Sequence, residues 1–118
     1  MDTDQIKQRL REFAEVREWD QYHSPKNLAS AISVEAAELL EIFQWLSEEE
    51  SRNIDLKTKT KVEQEVADVF LYLLRLADKL DINLLQVAEN KIAINETKYP
   101  IELSKGNAKK YNEFKEET

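Results

Sequence analysis

Apolar residues recur at spacings of three and four along nearly the whole chain, and the strict alternation typical of strands is absent. This pattern predicts four helices, over residues 3–18, 25–46, 57–80 and 83–98 to within about two positions. Ser24 and Pro25 form a typical helix start, Asn83 is a candidate N-cap, and Pro100 ends the fourth helix. A charged tail follows from about residue 104. We therefore predict one all-α domain over residues 1–118, built as a four-helix bundle.

The third predicted helix is apolar around most of its circumference between Val66 and Leu80. Such a helix must be covered on more than one side. Because a small four-helix chain has little material for this, we predict a homo-oligomer in which a second copy completes the bundle.

Composition removes several classes of protein. The chain has 118 residues with one glycine, Gly106, so it lacks a glycine-rich phosphate loop, and the Rossmann and P-loop classes are excluded. It has no cysteine, which excludes disulfides and thiolate metal sites. Its net charge of −7 would repel a polyanion, so we expect no nucleic-acid partner. Without a signal pattern or a long apolar run, we expect a cytoplasmic protein with no membrane partner.

Four carboxylates are candidates for chemistry: Glu35 with Glu38, and Glu65 with Asp68. Each pair has i, i+3 spacing, which places both side chains on one helical face. Random placement of the acidic residues gives roughly five such pairs, so solvated or ion-paired acids are the plain alternative. Both pairs, however, lie beside apolar runs, and four oxygen donors on facing helices suit Mg²⁺, with Mn²⁺ as a second choice. The only histidine, His23, lies between helices, which argues against a di-iron bundle.

Two further groups of residues could bind a ligand or could have only a structural or solvent-exposed role. Lys91, Asn95 and Lys98 share one face of the fourth helix, where they could bind phosphate or simply be solvated. The second group consists of aromatic residues and His23, which could stack on a nucleobase or pack in the core. Its members are Trp19, Tyr22, His23, Trp45 and Tyr72.

Three blocks of sequence carry a family resemblance: EAAELLEIFQW at residues 35–45, EVADV at 65–69 and KIAINETKYP at 91–100. Together they resemble the MazG-like nucleotide pyrophosphohydrolases, an all-α superfamily, and within it the dCTP pyrophosphatase branch. The likeness starts at about Phe13 and continues to Tyr111. The ExxE and ExxD pairs are signals of the superfamily, whereas the FQW, KxxxN and KYP blocks are more specific.

The resemblance implies a Mg²⁺-dependent hydrolase that cleaves a nucleoside triphosphate, such as dCTP or a modified dCTP, between the α and β phosphates. The products would be the monophosphate and pyrophosphate, and the role would be house-cleaning of the nucleotide pool. It also implies a homo-oligomer, with a tetramer built as a dimer of dimers favoured over a dimer.

The resemblance assigns roles residue by residue. The metal ligands would be Glu35, Glu38, Glu65 and Asp68, and the proton acceptor would be Glu38 or, as second choice, Glu35. The phosphate neighbours would be Lys91, Asn95, Lys98, Lys109, Lys110 and Tyr111. The base and sugar pocket would be lined by Trp19, His23, Trp45 and Tyr72.

Two positions depart from the family pattern. Leu10 stands where vertebrate relatives carry a histidine near the ligand, and Leu46 follows the FQW block where a basic residue is frequent. Neither belongs to the metal set, so they affect the expected base preference. The alternatives are a superfamily relative acting on dUTP or phosphoribosyl-ATP, and a non-catalytic acidic helical-bundle protein that binds partners through its apolar third helix.

Overall fold

The computed structural model describes residues 1–108, which form helices and no strand. The helices are α1 (Thr3–Val16), α2 (Pro25–Phe43), α3 (Glu48–Arg52), α4 (Leu56–Lys79), α5 (Leu84–Lys98) and α6 (Ile101–Ser104), with a 3₁₀ turn over Asp20–Tyr22. The all-α prediction is confirmed, and α1, α2, α4 and α5 correspond to the four predicted helices. In the described part of the chain, no helix has both the length and the apolar character needed to cross a bilayer.

Polar side chains fix where the helices begin. Ser24 Oγ accepts a hydrogen bond of 3.1 Å from the Asn27 backbone N–H, and Pro25 occupies the first helical position of α2. Asn83 caps α5 in the same way, by accepting from the Gln86 N–H. Both predicted N-caps are therefore confirmed, because each supplies an acceptor to a backbone donor that the helix leaves unpaired.

Two helices end through residues in the left-handed backbone region. After α1, Glu18 has φ 55°, and the Trp19 N–H donates to the Ala14 carbonyl over 2.8 Å. After α4, Asp81 has φ 54°, and the following backbone N–H donates to a carbonyl of the last helical turn in the same pattern. This is the hydrogen-bond pattern of a Schellman motif, which normally has glycine at the left-handed position. It ends α1 at Val16, two residues before the predicted boundary.

The stretch after α2 differs from the prediction. Helix α2 ends at Phe43, so Trp45 lies in a turn instead of at the helix end. The polar stretch that follows contains the short helix α3, whose capping box joins Ser47 and Glu50. Three successive glutamates at its N-terminus favour this extra turn electrostatically.

The described residues belong to two compact units, Met1–Ile82 and the segment from Asn83 onward. In the first unit, α2 and α1 both pack on α4, and the fully buried side chains include Leu28 and Leu74. The second unit contains α5 and α6. The single-domain organisation stays a prediction.

Packing in the first unit leaves part of α4 uncovered. In the middle of this helix, Val66 is 50% exposed, Phe70 42% and Leu73 37%. The predicted need for cover on a second side is therefore not met within residues 1–82.

Candidate active site

Three carboxylates from α2 and α4 form an acidic cluster: Glu35, Glu38 and Glu65. One oxygen of each lies within 4.8 Å of the others. Glu35 and Glu38 are one turn apart on α2, and the packing of α2 along α4 brings Glu65 to them. The first three residues of the predicted metal set therefore lie together.

The acidic cluster has acceptors but too few donors. Glu35 and Glu65 each have a buried Oε2 atom without a hydrogen-bond partner among residues 1–108. Burial, followed by contacts with Glu65 and Glu38, raises the pKa of Glu35 to about 7. The contact with Glu35 lowers the pKa of Glu65, but burial and the charges of Glu38 and Asp68 outweigh it, so that pKa is raised too. Such a group needs a proton or a cation to compensate its charge.

The donor set fits a hard divalent cation. Carboxylate oxygens are ligands that Mg²⁺ uses in proteins, and two buried oxygens of the cluster have no hydrogen-bond partner in the described part of the chain. Asp68, the fourth predicted ligand, lies one turn further along α4 and is not among the carboxylates within 4.8 Å. Its negative charge nevertheless contributes to the raised pKa values of Glu35 and Glu65.

A groove of about 660 Å³ opens beside the acidic cluster. It is lined by Glu38, Glu41, Ile42, Thr58, Lys61, Gln64 and Glu65. Lys61 was not predicted from the sequence to have a role, although it precedes Glu65 by four residues on the same helix. It places a cation in a groove that otherwise carries negative charge.

A cavity of about 380 Å³ lies further along α4. We call it the aromatic cavity; its lining residues are Leu10, Phe13, Trp19, His23, Asp68, Leu71, Tyr72 and Arg75. Three of the four residues predicted for a base and sugar pocket are therefore brought together. Trp45, the fourth, is 86% exposed in the turn after α2 and lines neither the groove nor the aromatic cavity.

Ring contacts hold Trp19 at the edge of the aromatic cavity. Its ring meets Phe13 edge to face, with centroids 5.7 Å apart and planes at 72°. The Arg17 guanidinium lies 3.6 Å from the centroid of the Phe13 ring. These are favourable aromatic and cation–π geometries, so Trp19 is anchored although it is nearly half exposed.

One stripe of polar residues on α4 links the groove to the aromatic cavity. Its members are Lys61, Glu65, Asp68, Tyr72, Arg75 and Lys79. Their spacing of 4-3-4-3-4 keeps them within about 40° of one direction around the helix. We call it the α4 polar stripe. Its regular spacing inside an apolar helix is the sequence signal that could have identified Lys61 and Arg75.

Arg75 is the main functional candidate that the sequence did not identify. Its side chain is buried beside the aromatic cavity, and its Nε–H donates to His23 Nδ1 over 3.2 Å. Its Nη2 donates to Asp20 over 2.7 Å, and Lys79 pairs with the same carboxylate. Burial, with smaller contributions from the cations Arg75 and Lys79, lowers the pKa of His23.

The predicted phosphate neighbours lie in the second unit or beyond the described residues. Lys91, Asn95 and Lys98 fall on one face of α5, and Lys91 and Asn95 are exposed. Lys109, Lys110 and Tyr111 lie outside the described residues.

The fold and the site define an all-α protein whose paired helices carry an acidic cluster next to an aromatic cavity. The model of the MazG-like family matches residues 30–114, which include all the carboxylates of the cluster. The chain belongs to the MazG-like family.

Individual proteins that are similar to this chain are pyrophosphatases by name. The chain is 38% identical over 105 residues to dCTP pyrophosphatase 1 of Mus musculus and 34% identical to that of Homo sapiens. Each match covers 87% of this chain and 62% of the relative, so the chain spans less than two thirds of these relatives. The crystal structure of a pyrophosphatase from Archaeoglobus fulgidus superposes with a TM-score of 0.78 at 48% identity, over 82% of this chain and 91% of that one.

Proposed function

We propose that this chain is a Mg²⁺-dependent nucleoside triphosphate pyrophosphohydrolase. It would cleave the bond between the α and β phosphates and release the monophosphate and pyrophosphate. The observation that carries the proposal is the acidic cluster, which has two buried oxygens without a partner among residues 1–108 and whose Glu65 lies on the helix that also lines the aromatic cavity. The name dCTP pyrophosphatase 1 favours dCTP as the substrate to test first, and the sequence resemblance adds a modified dCTP as the next.

In this proposal Glu35, Glu38 and Glu65 hold the ion, and Asp68, one turn further along α4, is the fourth ligand. The bound ion would polarise the phosphate and lower the pKa of the attacking water. Glu38 is the exposed carboxylate of the cluster and lines the groove, so a water molecule can reach it. We therefore assign proton acceptance to Glu38, with Glu35 as the alternative.

The nucleoside would occupy the aromatic cavity. Trp19, His23 and Tyr72 provide flat and polar surfaces for a base and sugar, while Asp68 belongs both to this cavity and to the electrostatic surroundings of the cluster. A nucleotide bound there would direct its phosphates along the α4 polar stripe toward Glu65. Phosphate contacts are proposed for Lys61 and for the family positions Lys91, Asn95, Lys98, Lys109, Lys110 and Tyr111.

We also propose that a second copy covers the exposed apolar middle of α4. Support comes from Val66, Phe70 and Leu73, whose exposure would cost hydrophobic free energy in an isolated chain. A dimer of such dimers would give the expected tetramer, and exposed Trp45 would contribute to the pocket of another copy. Light scattering tests this: we expect a tetramer mass for the wild type and a smaller mass for Phe70→Lys. A monomeric wild type would contradict the proposal.

The experiment that tests the activity is a nucleotide panel with Mg²⁺, assayed separately for pyrophosphate and orthophosphate. We expect pyrophosphate from dCTP, and no product from Glu38→Gln or Asp68→Asn, because each removes a negative oxygen needed at the ion. Glu63→Gln is the matched control, since Glu63 is an exposed acid on α4 that lines neither space. Orthophosphate as the product would contradict the cleavage site. Absence of both turnover and Mg²⁺ binding would favour the non-catalytic interaction protein.

A further inference from the structure

Arg75 is held in one orientation by groups on three sides. Its Nη2 donates to Asp20 Oδ1 over 2.7 Å, and its Nη1 lies 3.7 Å from Asp78 Oδ2. Asp78 is itself fixed by Arg11, whose Nε donates to it over 2.6 Å. The third nitrogen of the guanidinium, Nε, donates its N–H to His23 Nδ1 over 3.2 Å. A planar guanidinium satisfies these directions together, which the single nitrogen of a lysine cannot do.

The contact between Arg75 Nε–H and His23 Nδ1 determines which nitrogen of His23 carries the proton. A guanidinium has five N–H donors and no acceptor, so the atom facing it must offer a lone pair. Nδ1 is therefore unprotonated, and the neutral ring carries its hydrogen on Nε2. Burial and the neighbouring cations lower the pKa of His23, which favours this neutral form. The chemistry of the arginine thus selects one of the two tautomers.

The selected tautomer matters because His23 lines the aromatic cavity. No hydrogen bond from His23 Nε2 to residues 1–108 is found, so Nε2 is the ring nitrogen left for a ligand of this cavity. In the other tautomer Nε2 would be an acceptor, and the same position would attract a different ligand atom.

We propose that Arg75 is a positioning residue that holds His23 as the Nε2–H tautomer, so that the aromatic cavity presents a hydrogen-bond donor. The ligand would offer an acceptor there, such as a carbonyl oxygen or an unprotonated ring nitrogen of a pyrimidine base. The identity of the ligand rests on the proposed function, whereas the tautomer does not. Loss of Arg75 would therefore weaken binding of the nucleotide without removing any group of the acidic cluster.

The tautomer can be measured directly, because His23 is the only histidine of the chain. In ¹⁵N NMR spectra, protonated and unprotonated ring nitrogens have well-separated shifts, and a single histidine removes any ambiguity of assignment. We expect the wild type at neutral pH to show an unprotonated Nδ1 and a protonated Nε2. In Arg75→Lys, which keeps the charge, we expect a mixture of tautomers as in a free imidazole.

Lys79→Met is the matched control. It removes another cation from Asp20 but no contact with His23 Nδ1, so the pure Nε2–H tautomer should persist. A mixed or Nδ1–H tautomer in the wild type would overturn the proposal, as would an unchanged spectrum in Arg75→Lys. If Arg75→Lys does not fold, the wild-type spectrum alone decides whether His23 is held as the Nε2–H tautomer.

Enzyme kinetics distinguish a positioning role of Arg75 from a purely structural one. With dCTP we expect Arg75→Lys to raise KM about tenfold, as for one lost hydrogen bond, while kcat stays within about twofold. An unchanged KM despite a changed tautomer would refute the donor role of His23. If the wild type hydrolyses no nucleotide, the proposed function fails, while the NMR result still decides the role of Arg75.

Discussion

Binding of Mg²⁺ to the acidic cluster should release protons near neutral pH. The reason is Glu35, whose pKa is raised to about 7, chiefly by burial and by its contact with Glu65. A carboxylate must be ionised to ligate a metal, so any proton held by Glu35 has to leave when the ion binds. Proton release is therefore a property of the cluster that can be measured without a nucleotide.

The size of the effect follows from the pKa. At pH 7 Glu35 is about half protonated, so binding should release about 0.5 proton per site, and at pH 8.5 only about 0.03. For the same reason the apparent affinity for Mg²⁺ should rise about tenfold between pH 6 and pH 8, because competition with the proton disappears.

Isothermal titration calorimetry in buffers of different ionisation enthalpy measures the proton count. We expect the binding heat at pH 7 to depend on the buffer and at pH 8.5 to be nearly independent of it, with Glu63→Gln behaving as the wild type. A heat at pH 7 that is independent of the buffer would refute the reasoning. Equal proton release by a Glu35→Gln variant that still binds Mg²⁺ would show that another group supplies the proton.

Three further predictions concern the stability of the fold. Glu18→Gly should stabilise the protein by about 1 kcal/mol, because glycine adopts the left-handed conformation at φ 55° without strain; thermal unfolding measures this, and Glu15→Gly inside α1 should destabilise instead. Leu74→Ala should cost about 3 kcal/mol in urea unfolding, since Leu74 is fully buried, whereas the partly exposed neighbour Leu73→Ala should cost clearly less. The hydrogen bond from Arg11 lowers the pKa of Asp78 in the folded protein. This ion pair therefore stabilises the fold above the ordinary carboxyl pKa, and the stabilisation is lost as the pH falls through the lowered pKa of the folded state. Asp78→Asn should remove that part of the acid sensitivity, which urea unfolding at pH 5 and pH 3 measures.

The sequence was a good guide where local chemistry decides the structure. Helix starts could be predicted because an N-cap such as Ser24 or Asn83 acts on a backbone N–H three residues away. The acidic cluster could be predicted in part because two pairs of acids have helical spacing. The end of α1 could not, since Glu18 stands where the left-handed turn normally has glycine.

Other features depend on residues that are distant in the chain. Nothing near Arg75 indicates that it meets His23, which lies 52 positions earlier. The burial of Glu35 likewise arises only when α2 packs on α4, and it is this burial that raises the pKa. Trp45 has the residue type of a base-stacking group, but α2 ends before it and leaves it exposed. In each case tertiary packing determines what the local pattern leaves open.

Helix α4 buries Leu74 and other apolar side chains, as an ordinary amphipathic helix does, but its middle part also has exposed apolar residues. Its polar stripe lines the groove and the aromatic cavity, while Val66, Phe70 and Leu73 are exposed on the far side. A soluble monomer would normally bury the apolar side and expose the polar one. The two surfaces would have separate explanations: the proposed ligand would account for the polar residues, and the proposed second copy would account for the exposed apolar ones. Phe70→Lys should therefore reduce the mass in solution while leaving Mg²⁺-dependent proton release intact, since Phe70 belongs to neither the acidic cluster nor the aromatic cavity.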